Sequence, residues 1–71
     1  MLAESVIVRD AEIISGVPCF RGTRVPFQTL LDYLESGDTL DEFLDHFPGV
    51  TRDMAVEALE RAKESLLDRI A

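Results

Sequence analysis

The sequence predicts a mainly α fold, three helices preceded by a short N-terminal β segment, and three observations predict it. From Pro26 onward apolar residues recur with a period near 3.6, whereas the earlier run Val6-Ile7-Val8 is β-branched and extended in character. Residues that start and stop helices bracket each periodic stretch. At 71 residues the chain has room for one domain: a β segment and polar loop over residues 1–25, then helices over residues 26–71.

Val6-Ile7-Val8 reads as a strand of three or four residues, and Ser15-Gly16-Val17-Pro18 as a turn. Cys19-Phe20 is placed to pair with the first strand, ahead of a tight polar loop, Arg21-Gly22-Thr23-Arg24. Two strands alone are marginal in water, so a helix or a second chain must cover or extend them.

The first helix opens with Pro26 at its first position, where the missing N–H costs nothing. Its stripe is Phe27, Leu30, Leu31 and Leu34, spaced i, i+3, i+4, i+7, and Gly37 closes it. Thr39-x-x-Glu42 is a capping box that opens a second helix with the stripe Leu40, Phe43, Leu44 and Phe47. Asp41, Glu42 and Asp45 are left for solvent, and Pro48-Gly49 stops the helix. Thr51 caps a third helix whose apolar positions, Ala55, Leu59, Ala62, Leu66 and Ile70, step by three or four. The expected core contains Leu30, Leu34, Phe43, Leu44, Phe47 and Leu59.

A hydrophobic fraction of 46% and a charged fraction of 30% are those of a globular chain. One cysteine, Cys19, excludes an internal disulfide framework and makes the cytoplasm the expected compartment. No apolar run approaches the roughly 18 residues of a membrane span. Met1-Leu2-Ala3-Glu4 lacks the basic start of a signal peptide.

Net charge is −7, and it is unevenly placed. Residues 26–50 carry six acids and no Lys or Arg, while Arg9, Arg21 and Arg24 precede them. Indiscriminate binding to nucleic acid or anionic lipid is thereby disfavoured. The asymmetry suits a basic partner on one face and an anionic one on another, and equally a solvated acidic face.

Residues 39–63 show the punctuation of a helix-turn-helix, with Gly49 as a left-handed residue, Val50 as an apolar plug and Thr51 as the cap. Thr51 and Arg52 would then face a phosphate or a base edge. The same punctuation fits a three-helix core with no nucleic-acid role. Asp53, Glu57, Glu60 and Glu64 also make the third helix acidic outside, which repels DNA.

Upstream, Gly16-Val17-Pro18-Cys19-Phe20-Arg21-Gly22-Thr23-Arg24-Val25-Pro26 reads G-x-P-x-x-R-G-T-R-[IV]-P. This closely resembles the signature of the small prokaryotic antitoxin family first catalogued as a domain of unknown function, number four-three-three. Ile13, the Thr-Leu-Asp-Glu start and the Phe-Pro-Gly-Val-Thr turn agree, extending the likeness over residues 5–62. Cys19 and Phe27 depart from the small aliphatic residues more usual there. The resemblance implies a homeodomain-like helix-turn-helix antitoxin that neutralises a PIN-like ribonuclease toxin. It also implies operator DNA as a second partner.

Arg21, Thr23, Arg24, Thr51 and Arg52 are therefore the candidate DNA- or partner-contacting residues. Two arginines three residues apart on a loop suit a phosphate, a guanine edge or a nuclease's carboxylates, and suit equally a structural pin to the chain's own acids. Cys19 and His46 are the sole nucleophile–base candidates. An apolar strand position makes Cys19 a buried inert thiol, and His46 complements a helix C-terminus. No catalytic residue, metal or cofactor is expected. The expected function is an antitoxin that represses its own operon as a homodimer, with strands from residues 5–8 or 18–25 near the contact. The alternatives are a stand-alone helix-turn-helix regulator and an interaction module that never touches DNA.

Overall fold

The computed structural model describes residues 5–9 and 16–70. Among them, β1 (Ile7–Val8) and β2 (Cys19–Phe20) precede three helices, α1 (Phe27–Glu35), α2 (Leu40–His46) and α3 (Arg52–Ile70). The mainly helical architecture with a small β segment in front is the expected one. The turn residue Ser15 lies outside the described residues.

β1 and β2 pair antiparallel, with Ile7 opposite Phe20 and Val8 opposite Cys19. The strand expected over residues 6–8 is shorter: Val6 is buried just before it, and its carbonyl accepts the Arg21 amide at 2.8 Å. The chain then folds back on itself. The Phe20 amide donates to the Val25 carbonyl at 3.0 Å, the Phe27 amide to the Pro18 carbonyl at 3.0 Å, and Cys19 bridges Pro26. The Arg21–Arg24 loop is the tip of this hairpin. Gly22 takes φ +77° there, a left-handed value that carries no penalty without a Cβ.

Pro26 is the N-cap of α1 rather than its first helical residue, because ψ 143° keeps it extended for the bridge to Cys19. At the other end Ser36 is the C-cap and Gly37 turns left-handed at φ +92°. Gly37 donates to the Leu34 carbonyl at 3.1 Å and Asp38 to the Tyr33 carbonyl at 2.9 Å, the paired bonds of a Schellman stop. The capping box of α2 is complete: the Thr39 amide donates to Glu42 Oε1 at 2.7 Å and the Glu42 amide to Thr39 Oγ1 at 3.1 Å. Thr51 Oγ1 accepts the Met54 amide at 3.1 Å, capping α3.

The core is Val6, Phe20, Leu30, Phe43, Val50, Ala55 and Ala58, with Phe27, Tyr33, Leu40, Leu44, Phe47 and Leu59 packed around it. Phe43 lies at its centre, 6.1 Å from Phe20, 5.5 Å from Tyr33 and 5.0 Å from Phe47 between ring centroids. Three expectations are corrected here. Leu34 is 37% exposed, and Tyr33 fills its place because the Phe43–Phe47 pair lies on the Tyr33 side of α1. Phe47 packs as expected but lies beyond α2, as its C-cap at φ −128°, ψ 73°. The stripe of α3 is covered only as far as Leu59, and Leu66 and Ile70 are 60% and 72% exposed. A helix of 19 residues is about 28 Å long, longer than the short elements beside it can cover.

Candidate functional site

The surface carrying the candidate residues is built by two turns that touch. A Cβ placed on Gly49 would lie 3.6 Å from Thr23 Cγ2, so the hairpin tip rests against the α2–α3 turn. Gly49 is not left-handed as expected; of the described glycines only Gly16, Gly22 and Gly37 have positive φ. The reversal is made at Pro48 and Gly49, the central residues of a turn closed by the Val50 amide donating to the Phe47 carbonyl at 2.9 Å. Gly49 lies in that turn as a small residue against the hairpin tip. Val50, the expected plug, is 3% exposed.

Each candidate side chain has a definite place. The Thr23 hydroxyl donates to the Phe20 carbonyl at 2.8 Å and accepts the Val25 amide at 3.0 Å, so it is spent on holding the tip rigid. Arg21 Nε donates to the Ser5 carbonyl at 2.7 Å, pinning the tip to the residue that leads into β1. The pin goes to a backbone carbonyl at the start of the chain. Arg24 is exposed and makes no hydrogen bond or ion pair among the described residues. Thr51 is the cap of α3.

Arg52, the first residue of α3, donates through its guanidinium to Asp41 of α2. Both side chains remain largely in water, 58% and 75% exposed. They line a shallow cleft with Glu42, Leu44 and Asp45. Glu42 titrates below the usual glutamate range, first because it accepts the Thr39 backbone amide and then the Thr39 hydroxyl, with His46 adding a smaller attraction. A second depression, between the start of the chain and α3, is lined by Ser5, Val6, Arg21, Met54 and Glu57.

Cys19 is fully buried in β2. His46 is exposed at the end of α2, where its Nδ1 lies 2.9 Å from the Tyr33 hydroxyl. No hydrogen bond joins the thiol to the imidazole among the described residues. No group of three His, Cys, Asp or Glu side chains there is placed to hold a metal ion. No helix among these residues is long and apolar enough to cross a membrane.

The structure thus brings Thr23 of the hairpin tip against the α2–α3 turn and pairs Arg52 with Asp41. The Asp41–Arg52 pair is the feature that sequence reasoning missed. Its signal in the sequence is two opposite charges at the first turns of consecutive helices.

A family model described as a protein of unknown function, DUF433, matches residues 7–62. No curated protein and no solved structure matches the chain.

Proposed function

The chain belongs to the DUF433 family, and from that premise and the geometry of the hairpin tip we propose that it is an antitoxin: it neutralises a PIN-like ribonuclease and represses its own operon as a cytoplasmic homodimer. The observation that carries the reading is the Arg-Gly-Thr-Arg hairpin. Two of its four residues are committed to holding the tip, which rests against the α2–α3 turn, and Arg24 is exposed there with no hydrogen bond or ion pair among the described residues.

A rigid tip with a free guanidinium loses little side-chain freedom when it meets a carboxylate or a phosphate. In the nuclease complex Arg24 reaches a carboxylate of the acidic catalytic centre, and occlusion alone stops RNA from entering. No chemistry by the inhibitor is required. On the operator, Arg24 and Arg52 neutralise phosphates while α3 approaches the major groove with its N-terminal end. Pairing of two copies doubles a small set of contacts, which one protomer needs because its third helix is acidic outside.

The test is inhibition of a PIN-like ribonuclease encoded beside this chain. The purified nuclease should lose RNA cleavage at about one equivalent of the protein, and Arg24→Ala should raise the amount needed. Full cleavage at large molar excess would sink the antitoxin reading.

Of the alternatives, the interaction module without a DNA role is favoured by one observation, the engagement of Arg52 by Asp41. A gel shift with promoter DNA at low salt separates it from both DNA-binding readings. A stand-alone regulator would bind that DNA and leave the nuclease untouched.

A further inference from the structure

We propose that Asp41 is a built-in competitor for DNA: its carboxylate occupies the Arg52 guanidinium in place of a backbone phosphate, and a cation that takes Asp41 releases Arg52. This rests on the DNA-binding part of the reading above. Arg52 is the first residue of α3, next to the cap Thr51, and is thus the arginine closest to the end of the helix that would meet the duplex. In the free chain its guanidinium is paired with Asp41 on the neighbouring helix. A carboxylate presents the guanidinium with the same oxygen geometry and charge as a phosphate edge, so one excludes the other.

The pair is built to be reversible. Both side chains are more than half exposed, so water and salt weaken the attraction and the latch opens at small cost. Asp41 sits in the first turn of α2, which the capping box holds, so the backbone that carries the carboxylate stays in place when Arg52 leaves. The cleft around it adds Glu42 and Asp45, with no further described base lining it. A Lys or Arg side chain of a bound basic partner can therefore replace Arg52 at Asp41, and DNA affinity rises when such a partner is present.

The experiment is a double-mutant cycle read by binding to duplex DNA from upstream of the protein's own gene, at low salt. Asp41→Asn should tighten binding roughly two- to fivefold, the scale of one exposed ion pair. Arg52→Ala should weaken binding, and adding Asp41→Asn to it should recover only the small gain from one less negative charge. Thermal melts of all three variants check that the fold is kept, and Asp41→Ser repeats the measurement with a small uncharged side chain while the Thr39–Glu42 cap of α2 is untouched. An equal gain with and without Arg52 overturns the latch, as does no gain at Asp41 while the wild type binds; in both cases operator binding stands. Absence of binding by every variant overturns the latch together with operator binding, and leaves nuclease inhibition to its own test.

Discussion

Two glycines show how much a single position depends on what surrounds it. Gly37 has φ +92° at the end of α1, where an L side chain is strained, and nothing within 4 Å of its Cβ position compensates. Gly37→Ala should cost about 1–2 kcal/mol. Gly49 is outside the left-handed region, and its added methyl meets Thr23 Cγ2 at 3.6 Å, an ordinary contact. Gly49→Ala should therefore be neutral or stabilise by about 0.4–1 kcal/mol, because alanine narrows the unfolded ensemble. Urea melts of the two variants decide it: a larger loss at Gly49 than at Gly37 would put Gly49, and not Gly37, in the left-handed region. The sequence pattern alone assigned both the same role, since a glycine after a helix usually marks a left-handed stop. At Gly49 the turn closed between Phe47 and Val50 reverses the chain without a left-handed residue.

At the level of elements, what was legible is what is decided within one turn of chain. The capping box at Thr39 and Glu42, the stop at Gly37 and the cap at Thr51 each depend on residues three to five apart, and all three form. Pairing of Cys19-Phe20 with the first strand was also readable, since a hairpin keeps its partners near in sequence. Tyr33 taking the core place of Leu34, and the bare end of α3, were not legible, because both depend on where neighbouring elements end. The site divides the same way: the tip bonds of Thr23 are local, whereas the capture of Arg52 by Asp41 spans two helices. A stability comparison tests the extent of the core. Phe43→Ala, at 0% exposure, should cost about 3–5 kcal/mol. Ile70→Ala and Leu66→Ala should change stability by less than about 0.5 kcal/mol, although their apolar spacing continues the same stripe. Denaturation at low protein concentration should give that contrast; a large loss at Ile70 would show that the end of α3 is covered in solution.

For the whole molecule the governing quantity is charge. Fourteen acids against seven bases mean that long-range attraction to DNA is absent, and binding must come from a few local cations. Arg21, Arg24 and Arg52 are the three near the proposed interface, of which Arg21 is pinned to Ser5 and Arg52 is held by Asp41. No more than about three phosphates are then neutralised per protomer, or six per dimer. That corresponds to a slope of log affinity against log salt of at most about 5 for a dimer. A basic nuclease bound to the acidic third of the chain changes both terms: it removes repulsion, and its own lysines and arginines add to the count. The complex should therefore bind the promoter more tightly than the protein alone, with a steeper salt slope, and Arg52→Ala should weaken both forms. Titration of promoter DNA with each form across a salt series measures this directly. A complex that binds no better than the free protein, at an unchanged slope, would mean that the nuclease meets a surface other than the acidic one and contributes no charge at the DNA.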